Sequence, residues 1–392
     1  MSEAALAAQD AQFAALNARC AASPREAAIF TAFLRTITHA DKVKWLCNSV
    51  CNNHAALVRL LLADGLSPNT IHPQGSLSLL HLAAGHGAID VLRLLLEAGA
   101  DTNSCEPLGH TPLSLAVGRG HTECVRELIP HTNLRNYSAS GSNVLHSSIN
   151  TNQPEIFKLL LPHFADNVDV RTIKPRAPAD PDGPYDNTPL HFACQGGHHA
   201  MVKALLAAGA SRTAHDTDSF SCLHFAAQNG HLACVTLLIG RPDNQKMSVA
   251  EIDARAPKGQ TPLFMAALKG HRYCCAALLA ACADPAAAIL DGRTALDIAR
   301  EDHPSNQELI ELLECRGGGP APLLCAGCGA SDKRLRACSA CGAASFCSAA
   351  CLAQAWTTGT HKAECQRIQA ANEEKTRSRN TICDTANLPT PP

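Results

Sequence analysis

Eight side chains able to hold a metal fall between residues 325 and 365, in the order Cys325-x2-Cys328-x9-Cys338-x2-Cys341-x5-Cys347-x3-Cys351-x9-His361-x3-Cys365. Thiolate and imidazole suit Zn²⁺, which takes them in tetrahedral sets, so these eight ligands make two four-ligand sites. A set supplied wholly by protein leaves no open position for water or substrate, and the zinc is therefore structural. A segment this short, with few large apolar side chains, cannot bury enough surface to fold alone. Structural zinc contributes on the order of 10 kcal/mol per site at neutral pH, so metal is what folds it. Free core cysteines or a disulfide framework fit less well, because the paired CxxC spacing is that of zinc sites. Cys347 with Cys351, and His361 with Cys365, are i,i+4 pairs that share one face if their stretches are helical.

The order and spacing resemble the MYND zinc finger, whose ligands run as a series of cysteines, then a histidine, then a last cysteine. Phe346 stands where the family has an aromatic residue before the fifth ligand, and Trp356 matches the family's Trp after the sixth. Leu352 and Ala355 depart from the family's Gln and Asp, and the spacer Thr357 to Thr360 is longer than usual. The resemblance implies a cross-braced pair of sites, with Cys325, Cys328, Cys347 and Cys351 on one zinc and Cys338, Cys341, His361 and Cys365 on the other. It also implies a groove for short proline-containing peptides, with Trp356 as contact. Spacing alone leaves a sequential grouping open, with Cys325 to Cys341 as one ribbon, and Trp356 can equally pack the zinc-bound helices together. A RING-type ubiquitin ligase is the rival reading, but such patterns carry His near the middle, and here it is the seventh ligand.

The elements upstream repeat. Relatives of one tetrapeptide begin at Ser78, Thr111, Asn143, Thr188, Ser221, Thr261 and Thr294, at steps of 33, 32, 45, 33, 40 and 33 residues. A degenerate copy at Lys44-Trp45-Leu46-Cys47 makes about eight. In most copies Thr, Ser or Asn stands before a short helix as N-cap, with Pro tolerated in the first turn. Gly87, Gly120, Gly197, Gly230 and Gly270 allow a left-handed stop before a second helix striped with Val and Leu. One such helix pair cannot hide its apolar faces, so neighbours must stack. The pattern resembles the ankyrin repeat and predicts a mostly α fold, an ankyrin solenoid followed by a small two-zinc finger. Residues 4–38 read as two Ala-rich helices capping its start, and Glu308 to Leu313 as the second helix of an irregular last copy.

The expected organisation is an N-terminal helical cap (1–40), the array (41–315), a Gly/Pro linker (316–322), the finger (323–367) and a disordered tail (368–392). The long steps hold two insertions. In the first, Pro175, Pro178, Pro181 and Pro184 recur every third residue, as in a stiff solvated polyproline stretch. The second, around Arg241 to Lys258, reads as an elongated finger between repeats.

Nineteen histidines invite catalytic readings, but register explains nine. His81, His146, His191 and His224 end the tetrapeptide, while His54, His121, His198, His231 and His271 follow the inter-helix turn. Resemblance to ankyrin repeats makes both positions structural. No phosphate loop, HExxH or nucleophile elbow occurs, and no enzymatic activity is expected. The net charge of −2 shows no bias toward nucleic acid or membrane. No apolar run reaches the length of a membrane span, and the N-terminus lacks a basic leader. With 20 cysteines and no such leader, a reducing compartment is expected, cytoplasm or nucleus, with cysteines outside the finger as small buried hydrophobes. Together these features predict an intracellular adaptor whose partners are proteins or short peptides. The alternatives are a RING-like ubiquitin ligase and a MYND-linked corepressor component.

Overall fold

The computed structural model describes residues 3–73, 75–174, 186–240, 247–314, 336–337 and 345–346. The chain divides into two compact units, Met1–Asn229 with Ala254–Gln260, and Gly230–Asp253 with Thr261–Pro392.

The first unit opens with α1 (Glu3–Ala22) and α2 (Pro24–Leu34), followed by α3 (His39–Cys51) and α4 (Ala55–Ala63). Phe13, Phe30 and Phe33 gather around Trp45, with ring centroids 4.6, 5.7 and 5.6 Å away. The Asn17 side chain of α1 accepts hydrogen bonds from the backbone N–H groups of Ala56 and Leu57 (3.0 and 3.3 Å), satisfying donors that the start of α4 would leave open. Both α1 and α2 pack against α4. The start of the first copy needs correction. Its tetrapeptide Lys44–Cys47 lies inside α3, which begins after Thr38, because Thr38 Oγ1 accepts from Asp41 N and caps the longer helix.

Helix pairs follow: α5 (Leu79–His86) and α6 (Ile89–Glu97), α7 (Pro112–Arg119) and α8 (Thr122–Leu128), α9 (Val144–Asn150) and α10 (Pro154–Leu160), α11 (Pro189–Gln195) and α12 (His199–Ala207), then α13 (Cys222–Gln228). The first helices pack in series, α3 on α5, α5 on α7, α7 on α9, α9 on α11 and α11 on α13, while α4, α6, α8 and α10 form a second row. Between the rows lies a fully buried core that includes Leu79, Leu92, Leu95, Leu113, Val125, Leu145 and Leu205.

Each first helix starts with a side-chain clamp. At Ser78 the hydroxyl lies 3.4 Å from His81 N, and Nδ1 of His81 meets the backbone N–H and the hydroxyl of Ser78 at 3.2 and 2.8 Å. An Nδ1 that accepts must be unprotonated, so Nε2 carries the hydrogen and donates it to His110 O in the next turn (2.9 Å). His146 and His224 repeat the device, donating to Val170 O and Gln260 O at 3.1 Å each. Burial therefore holds both imidazoles far below the usual range, at about 4.

The inter-helix glycines have positive φ, as at Gly87 (+71°) and Gly120 (+78°), and a Cβ on Gly87 would come within 2.7 Å of the His121 ring. His121 in turn donates from Nε2 to Gly85 O at 3.1 Å. Carboxamide and carboxylate side chains in the loops stitch repeat to repeat. Asn69 accepts from Asp101 N and Asn103 from Asn133 N, both at 2.8 Å, and Asp169 from Ser211 N at 3.0 Å.

In the second unit, α14 (Leu232–Ile239) packs on α17 (Arg272–Ala280), α16 (Pro262–Leu268) on α17 and α18 (Ala295–Asp302), and α19 (Gln307–Glu314) on α17 and α18. A short helix, α15 (Val249–Ile252), stands in the insertion read from sequence as an elongated finger. Ser248 and Glu251 cap it reciprocally, while residues 241–246 of that insertion lie outside the described residues. The last pair is regular enough to bury Leu309, Ile310 and Leu313 on α18's partner helix. Strands β1 (Arg336–Ala337) and β2 (Ser345–Phe346) pair antiparallel, Arg336 opposite Phe346 and Ala337 opposite Ser345. The proline stretch 175–184, the linker 316–322 and the tail 368–392 lie outside the described residues. Among the described residues, no helix is long and apolar enough to cross a membrane.

Candidate functional site

A cleft of about 330 Å³ opens in the first unit between α7, α9 and the turn Ser138–Ser142. It lies beside a break in the repeat pattern. Where four copies carry His81, His146, His191 and His224, the copy at Thr111 carries Ser114. The short side chain turns back, its Oγ donating to Thr111 O at 2.8 Å, and no imidazole crosses to the next turn. Gly118 and Ser138, Ser140 and Ser142 are also small, so the space stays open.

The turns bordering the cleft are fixed by backbone bonds. Ala139 N donates to Leu108 O (2.7 Å) and Ile173 N to Gly141 O (3.0 Å). A Cβ on Gly141, whose φ is +78°, would run into Ile173 O, so this approach requires glycine. Within the turn, Ser138 Oγ lies 2.7 Å from Ser140 Oγ and donates to Ser142 O at 3.1 Å.

Arg119 and His110 line the cleft along with the neutral His146, and no carboxylate does. Arg119 is exposed and makes no ion pair among the described residues. The pattern break at Ser114 was visible in the sequence, but its meaning depends on which turn faces it, and sequence reading assigned the cleft nothing.

Among the described residues, Cys222, Cys194 and His191 form a thiol and imidazole grouping, all buried. Burial pushes the Cys222 thiol up, but hydrogen bonding with Cys194 and the attraction of His191 outweigh it and hold it below the ordinary thiol range. Cys222 and Cys194 are both 0% exposed, so no substrate reaches either sulfur. A second cleft of about 310 Å³ is lined by Lys44, Cys47 and Cys51 among others. There burial, with a smaller push from Cys51, raises Cys47 to about 11, which leaves it a protonated thiol at neutral pH. Eight of the described cysteines are buried, as expected, while Cys51 is half-buried and Cys105 and Cys282 are exposed.

All eight proposed zinc ligands, Cys325, Cys328, Cys338, Cys341, Cys347, Cys351, His361 and Cys365, and also Trp356, lie outside the described residues. β1 ends at the residue before Cys338 and β2 at the residue before Cys347. The donor set, thiolates with one imidazole, fits zinc. Among the described residues, no cluster of His, Cys, Asp or Glu could hold a metal ion.

Residues 80–173 and 170–249 match the family described as ankyrin repeats (3 copies), and residues 258–288 match the ankyrin repeat. Residues 325–365 match the MYND finger, a zinc-binding family. The chain is similar to a putative ankyrin repeat protein of Fowlpox virus (strain NVSL), 30% identical over 42% of this chain and 20% of the relative. It is similar to the B-cell lymphoma 3 protein homolog of Mus musculus, 30% identical over 44% of this chain and 38% of the relative. It is also similar to a probable E3 ubiquitin-protein ligase of Oryza sativa subsp. japonica, 31% identical over 35% of this chain and 32% of the relative. The chain thus spans less than half the length of each of these relatives. Stacked helix pairs clamped by Ser, Thr or Asn with His and joined by positive-φ glycines, together with these matches, show that the chain carries ankyrin repeats and a MYND-type zinc finger.

Proposed function

We propose that the chain is an adaptor with two interaction modules, an ankyrin array over 41–315 and a structural-zinc finger over 323–367 that docks short proline-containing peptides. The carrying observation is the array itself, in which His81, His146 and His224 serve as helix clamps and whose open cleft is lined by no carboxylate to pair with a base. In this reading zinc is a cross-link. Cys325, Cys328, Cys347 and Cys351 hold one ion and Cys338, Cys341, His361 and Cys365 the other, and the metal supplies folding energy with no open coordination position. Trp356 stacks against the peptide.

Affinity capture with the full chain tests the adaptor reading, since specific protein partners should be retained and should change when Cys338→Ser disables the finger. Trp356→Ala should keep its zinc and lose peptide capture, whereas lost zinc would assign Trp356 to packing. Cutting the chain after Gly342 separates the two ligand groupings, because only a sequential ribbon would still hold a zinc tightly.

The name of the rice relative supports a second reading, ubiquitin ligation through the finger. Ubiquitin transfer by the purified chain that disappears in Cys338→Ser would replace the adaptor reading with this one.

A further inference from the structure

We infer that the cleft beside Ser114 seats the carboxylate side chain of an acidic, extended peptide segment against Arg119, which rests on the adaptor reading and names the class of partner for the array. The lining brings one guanidinium and two imidazoles to a space of about 330 Å³ with no carboxylate among them. The hydroxyl protons of Ser114, Ser147 and Thr151 are already donated to Thr111 O, Asn143 O and Ser147 O. His146 spends its Nε2 hydrogen on Val170 O. The polar lining side chains left unbonded among the described residues are those of His110, Arg119, Ser142 and Asn150, and of these only the Arg119 guanidinium is a fixed cation. A guanidinium is a planar, two-pronged donor that matches a carboxylate better than any neutral acceptor.

Charge selects the acid, and the rim selects its neighbour. Leu108 is 57% exposed on the turn that bonds to Ala139, so an apolar side chain next to the acidic one gains cover there. Glu106, in the same turn, is engaged by His110 N–H at 3.2 Å and does not line the cleft. The opening is therefore cationic toward a ligand, and an extended segment places alternate side chains in cleft and on rim.

The test is fluorescence anisotropy on the full chain with labelled peptides in which Glu, Gln, Lys or phosphoserine sits between leucines. The Glu peptide should bind about tenfold more tightly than the Gln peptide, the margin of one charge-assisted hydrogen-bonded pair, and should weaken as salt is added. Arg119→Gln should remove that margin. Arg126→Gln, on α8 and paired with Glu123, should leave it intact. Ser114→His should fill the cleft with the imidazole that neighbouring repeats carry, abolishing binding while Tm holds or rises. Equal binding of the Glu and Gln peptides overturns the inference, as does equal damage from the two arginine substitutions. Binding of phosphoserine but not Glu would assign the cleft to phosphopeptides instead. If capture of native partners survives both Arg119→Gln and Ser114→His, this inference falls and the adaptor reading stands.

Discussion

His146 and His224 each sit in a clamp that works only while Nδ1 is unprotonated, and that ties the array's stability to pH. Their folded-state values of about 4 lie below the ordinary imidazole value of about 6.5 in an unfolded chain. As pH falls between those limits the unfolded chain takes up protons that the folded one refuses, so stability is full above the upper limit and declines toward the lower. The loss is on the order of 3 kcal/mol per residue, with His81 shifted in the same direction by burial. Urea midpoints should therefore drop from about pH 7 to about pH 5, and a flat profile would contradict the clamp. Glycines offer a second contrast at this scale. Gly87→Ala must take a left-handed backbone and push its Cβ into the His121 ring, whereas Gly99→Ala meets nothing within 4 Å. We expect a loss of about 2–3 kcal/mol for the first and about 1 kcal/mol for the second, read from urea denaturation. The clamp residues were legible in sequence because they recur in register. The cleft was not, because Ser114 is informative only once the turn Ser138–Ser142 is known to face it.

Among the elements, α1 acts as a surrogate for a missing repeat. Asn17 closes the start of α4 much as Asn53 closes that of α6, where Asn53 Oδ1 accepts from Val91 N at 3.1 Å. Asn17→Ala should cost about 1 kcal/mol, and amide exchange should quicken at Ala56 and Leu57 while α6 is unaffected. Exchange rising evenly through the unit would show that α1 does not cap locally. Helix pairs were readable because cap, apolar stripe and glycine stop coincide in each copy. Two elements were not. The N-terminal extension of α3 depends on Thr38 winning the cap from a position that has Lys44 instead of Thr, and α15 forms from a four-residue stretch too short to show a period. The loop residues Asn69, Asn103 and Asp169 show no role in the sequence, because their hydrogen-bond partners lie about a repeat away.

At the level of the whole molecule, the helical repeats and the zinc finger call on different sources of stability. Helix pairs draw on buried apolar surface between near neighbours, and no described residue belongs to a possible metal cluster. Chelation should accordingly strip zinc and collapse the finger while leaving the helical circular dichroism and the main urea transition in place. A large loss of helix on chelation would contradict that independence. Composition and cysteine spacing made this division legible, since the ligands crowd into one short stretch after the repeats. The glycine seams carry a further implication. Gly87, Gly230 and Gly270 rest against rings supplied by the next copy, His121, His271 and His303, but Gly120 rests against Gln153. The copies are therefore not all interchangeable. A duplication or graft that brings the Gly120 seam against a ring-bearing copy, or Gln153 against another glycine, must carry each glycine together with the side chain that follows it or leave a mismatched joint at that border.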